Sequence, residues 1–240
     1  MNILLYITIF VIGMIFGALT TLLCRIKLKQ KVTIVKPYIL RATLSGIIFV
    51  LFALSINLNQ NTLTKDMLIY FIFTTLYISI LFIIATIDKN EKRVDKIILL
   101  FGFIVVTVYM IYTYVTSSDI SIYRYATYLL IVCALIIADT IYMKRKAKQN
   151  YTLNVLLLSM LMILFTYEEV YFLTATYALL IIGIKLILNK IKNRKIKYVK
   201  FDEHAKAKIP IAYYMCLANI IMLLITNYYI FYQYFLNEIM

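Results

Sequence analysis

Two carboxylates in this chain have the type and setting to do chemistry. Asp88 closes an apolar run, LFIIATID, and Asp139 lies inside another, IVCALIIADTIYMKRK. An acid at or within a membrane span is costly unless it is paired, wetted or used. Two carboxyls held close together cannot both ionise, so their proton affinities split. The ionised one then takes a proton from water while the other donates to a carbonyl oxygen, which is the chemistry of aspartic hydrolysis. A single carboxylate cannot play both parts. Plainer roles exist for each: Asp88 as a helix-end acid in water beside Lys89 and Lys92, and Asp139 as an acid that pairs with a nearby base or reaches the headgroups. The other nine acids read as solvated charges. Asp66, Asp119, Glu168, Glu169 and Glu238 fall in connections or at the chain end, and Glu91, Asp95, Asp202 and Glu203 stand among bases.

The elements that position these acids are apolar helices. The 240 residues are 64% hydrophobic with mean hydropathy +0.90, and apolar runs near the length of a bilayer crossing recur. A helix satisfies its own backbone in lipid, so the spans are expected to be helical. We mark eight, at 2–23, 39–58, 67–87, 97–116, 122–143, 152–167, 170–189 and 209–228. The first reads as a retained helix rather than a cleaved leader, because a basic run follows it and no small-x-small cleavage site stands out. The fold class is therefore all-α and polytopic, with a single membrane-embedded domain over 1–240.

Basic and non-basic connections alternate. The odd-numbered connections, with Arg41 just inside the second span, hold nearly all of the 25 Lys and Arg. Cytoplasmic loops carry that excess, so both chain ends are expected outside. The net charge of +14 is then a topology signal and an attraction to anionic lipid, and nucleic acid is not an expected partner. Cys24, Cys133 and Cys216 stand far apart without a CxxC, which indicates neither zinc nor disulfides. Asp202, Glu203 and His204 are adjacent on one short loop, where three neighbours rarely converge on a metal. No Gly-rich phosphate loop is present and no cofactor is implied.

The stretch ATIDKNEKRVDKIILLFG resembles the first catalytic segment of the type IV prepilin (leader) peptidases, aspartic peptidases of the membrane, through Ala85, Ile87, Asp88 and Val94. Asp95 and Lys96 stand where that family has Pro and Asn. Three further stretches are similar in order and spacing: Gly17 and Arg25 at the end of the first span, Tyr38, Ser45 and Gly46 in the second, with Ala42 where the family has Glu, and Ile209–Pro210 near the end. The resemblance covers nearly the whole chain. It implies removal of a short basic leader from pilin-like precursors at the cytoplasmic face of the plasma membrane, with Asp88 as one catalytic carboxyl. The family's second motif, Gly-x-Gly-Asp-x-Lys, aligns with YTLNVLLL, which puts Asn154 on the aspartate. An Asn cannot ionise, so either Asp139 substitutes as the second acid, or the chain is a non-catalytic relative that binds pilin-like helices as a membrane assembly protein. The first connection is short and lacks the family's CxxC segment, so no methyltransferase activity is expected. A small transporter is a third reading, disfavoured by the scarcity of Gly, Pro and mid-span charge.

Overall fold

The computed structural model describes residues 2–28, 36–58, 64–116, 122–146, 150–195 and 209–239. They form seven helices: α1 (Asn2–Lys27), α2 (Lys36–Ser55), α3 (Lys65–Glu91), α4 (Lys96–Thr116), α5 (Ile122–Lys146), α6 (Tyr151–Lys195) and α7 (Ile211–Ile239). All seven are long and apolar enough to cross a membrane, so the chain is an all-helical membrane protein. Large apolar side chains are exposed along every helix, among them Ile3, Ile47, Ile72, Ile104, Ile137, Leu179 and Ile225. A bundle surface of this kind is stable against lipid, not against water.

Cross-helix contacts fix the direction of each helix. At the end bearing the bases, Lys27 of α1 meets Asp95, Lys96 of α4 meets Asp139 of α5, and Tyr151 of α6 meets Asp88 of α3. At the opposite end the α4 residue Tyr112 bonds Asp66 and Tyr70 of α3 bonds Asn227 of α7. Successive helices α3, α4 and α5 therefore run antiparallel.

The expected spans 152–167 and 170–189 fall on the single helix α6, which is interrupted at Tyr167 (φ 64°, ψ 165°). That backbone conformation normally belongs to glycine. Tyr151 bonds the Ile211 amide, and Lys185 bonds the Tyr214 hydroxyl, so both arms of α6 reach the first turn of α7. A straight helix would separate residues 151 and 185 by about 50 Å. The chain reverses at Tyr167, and Glu168, read from sequence as a connection acid, accepts a hydrogen bond from the Tyr128 hydroxyl there.

α1 and α2 approach closely through small residues. A Cβ on Gly13 would lie 2.8 Å from the Cα of Gly46, and one on Gly17 would lie 2.8 Å from the Cα of Ala42. Small residues spaced four apart on both helices let the backbones meet, where lipid supplies no hydrophobic drive for association. In the centre, Tyr77 donates to Asn219 at 2.7 Å, and the Asn219 amide donates to Thr174 at 3.1 Å. This polar knot ties α3, α7 and the second arm of α6 in the middle of the bundle. Tyr77 also stacks on Phe165 of the first arm, ring centroids 4.1 Å apart.

Candidate functional site

The residues after Asp88 end one helix and begin the next within a few positions. Lys92 takes a left-handed conformation (φ 53°) and its amide closes on the Asp88 carbonyl. Asp95 then caps α4, its carboxylate accepting from the amides of Ile97 at 3.0 Å and Ile98 at 3.2 Å. The same carboxylate lies 3.1 Å from the Lys27 ammonium. Asp95, expected as a solvated loop charge, is instead buried. Its two roles explain why: the first amides of a helix lack partners within the helix, and an acid at that end is favoured by the dipole.

Asp88 is fully buried, 0% exposed. Its Oδ2 accepts from the Tyr213 amide at 2.9 Å and from the Tyr151 hydroxyl at 3.2 Å. The Tyr151 oxygen in turn accepts from the Ile211 amide at 2.8 Å and the Ala212 amide at 3.3 Å. Three helices thus meet at the start of α7, just after Pro210, a residue suited to a first helical turn. The side chains of Asp88 from α3 and Tyr151 from α6 satisfy amides that α7 leaves open. The positive end of α7 faces this carboxyl. Asp88 Oδ1 has no hydrogen-bond partner among the described residues.

Asn154, on α6 one turn beyond Tyr151, is 1% exposed, and neither atom of its amide has a hydrogen-bond partner among the described residues. Asp139 is 3% exposed and pairs with the Lys96 ammonium, which also touches the Met143 sulfur. Asp139 thus sits against α4. The structure joins Asp88 and the Asn154 turn through Tyr151, and among the described residues no hydrogen bond or ion pair joins Asp139 to Asp88. Of the other resemblance residues, Arg25 lies over the Tyr38 ring, 4.2 Å from its centroid, and Gly17 packs on Ala42 and Ser45. Cys24 and Cys216 are buried packing residues, whereas Cys133 is exposed. Among the described residues no group of His, Cys, Asp or Glu could hold a metal; Asp202, Glu203 and His204 lie outside them.

Sequence reasoning missed Tyr151, which it set on a glycine of the family motif, and Lys96 as the base for Asp139. It also missed Asn219, although an Asn inside an apolar run is a signal in itself. No protein-family model, no curated protein and no solved structure matches the chain.

Proposed function

We propose that the chain is a prepilin-peptidase-like membrane bundle that binds an apolar, pilin-like helix without cutting it, as an assembly protein of the plasma membrane. One observation carries this reading: each buried acid already has a structural task. Asp88 holds the start of α7 and Asp139 neutralises Lys96. The place of the family's second acid is taken by Asn154, which cannot ionise. An aspartic mechanism needs two carboxyls that share one proton. In the same proposal the two arms of α6 are separate crossings, which makes eight with both chain ends outside. The alternating basic connections support that topology.

A second reading, an active aspartic endopeptidase with Asp139 as the replacement acid, draws on the unpartnered Asp88 Oδ1 and Asn154 amide. Buried polar atoms without partners are rare and often mark sites that bind something. Co-expression with a pilin-like precursor separates the two. Wild type, Asp88→Asn, Asp139→Asn and Asn154→Asp are compared for cleavage and for recovery of the precursor with the purified protein. The assembly reading expects uncut precursor to copurify with wild type and with Asp88→Asn alike, and cleavage to arise, if anywhere, in Asn154→Asp. Cleavage by wild type that both Asp→Asn variants abolish would establish the peptidase instead.

A further inference from the structure

Arg41 lies in the second turn of α2, near the basic end of an apolar helix, and is exposed; a guanidinium there reaches toward the headgroup layer and favours an anionic partner. Other bases at this end of the bundle are engaged: Arg25 on the Tyr38 ring, Lys27 on Asp95, and Arg93 on Glu91. Arg41 makes no hydrogen bond or ion pair among the described residues. Beside it a cavity of about 100 Å³ opens between α1, α2 and α3, where Arg41, Thr20, Thr21, Ser45, Thr86 and Cys24 share the lining with the apolar Leu44 and Phe82. No acid lines it. Thr20 and Thr21 donate to the Gly17 carbonyl at 3.0 and 2.8 Å, so Arg41 and Ser45 are the groups with donors to spare.

We propose that this cavity binds a phosphate group, with Arg41 as its counter-ion and Ser45 as a hydroxyl donor. A guanidinium presents a planar fork of N–H groups that matches a tetrahedral oxyanion. The volume holds one such group. The site opens between membrane helices at the basic end of the bundle, which is where anionic headgroups are met. The phosphate comes from a phospholipid headgroup or from the free ion, and the two differ only in what the oxygens are attached to.

The test is native mass spectrometry of the full chain in detergent, titrated with phosphatidylglycerol, phosphatidylcholine or inorganic phosphate. Wild type is compared with Arg41→Gln, Arg41→Lys and Arg145→Gln, the last an exposed base at the same end but outside the cavity. Circular dichroism checks that each variant stays helical. The expected result is that Arg41→Gln weakens phosphatidylglycerol binding by about tenfold, the loss of one charge-assisted contact. Arg41→Lys should lose less, and Arg145→Gln should match wild type. Inorganic phosphate that displaces the lipid and saturates the protein alone identifies the free ion as sufficient. Lipid that phosphate fails to displace identifies the headgroup. Equal losses in Arg41→Gln and Arg145→Gln would reduce the effect to diffuse charge and overturn the site, as would binding of neither probe by wild type.

Discussion

Asp88 and Asp139 are equally buried, yet their charges are answered in opposite ways. Asp139 faces an ammonium, that of Lys96, across the α4–α5 contact. Among the described residues Asp88 faces no cation at hydrogen-bond distance; a backbone amide and a phenol hold it at the head of α7. An ion pair consumes both charges, and neither member can leave without stranding the other. A carboxyl held by dipoles is tied instead to a backbone amide and a hydroxyl, and in both acids Oδ1 is left without a hydrogen-bond partner among the described residues. The first arrangement is a fastener. The second is a fastener too, made of dipoles instead of a charge pair.

The comparison can be broken most forcefully at the ion pair. Lys96→Met strands the Asp139 carboxylate and should lower stability by about 3 kcal/mol, whereas the double variant Lys96→Met/Asp139→Leu should recover most of that loss. Thermal unfolding in one detergent, with both variants side by side, measures the difference. Asp88→Leu comes next: it leaves the Tyr213 amide and the Tyr151 hydroxyl without their acceptor, at a cost of about 2 kcal/mol in the same assay. Tyr151→Phe removes the hydroxyl that bridges Asp88 to the Ile211 amide and should cost about 1 kcal/mol. Faster hydrogen exchange at the first amides of α7 would locate that loss. Smallest is Asp88→Asn, below about 1 kcal/mol, because the amide oxygen can still accept from Tyr213. A larger drop there would mean that the charge itself, through the dipole of α7, holds the helix.

Hydropathy made the helices legible, since each span needs a long apolar run and each connection is marked by charge. Most ends moved by a few residues, as at α3, which continues past Asp88 to Glu91, whereas α7, expected to end at 228, runs to Ile239. The reversal within α6 was legible too, as the acids of TYEE, although no glycine or proline announces it. Asp88 stood out because an acid next to an apolar run is conspicuous. Its partners did not, because one is a backbone amide 125 residues away and the other a tyrosine among 22. The need of Asp139 for a base was readable, but not its choice of Lys96 on another helix over nearby Lys144. Asp95 looked like one more loop charge because capping depends on where the next helix begins. The approach of α1 to α2 was written in Gly13 and Gly17, whose spacing is a packing signal in lipid.

The reversal at Tyr167 leaves the first arm of α6 short. From Tyr151 to Thr166, at 1.5 Å per residue, that arm spans roughly 24 Å, against a hydrocarbon thickness of about 30 Å. Taken as a crossing of its own, it is hydrophobically mismatched to an average bilayer, and lipid beside it must thin or its flanking residues must reach outward. Tyr151 and Glu168, which bound the arm, are held by Asp88 and Tyr128, so the ends have little freedom to adjust. The accommodation falls on the membrane, and the protein should partition toward thinner regions of it.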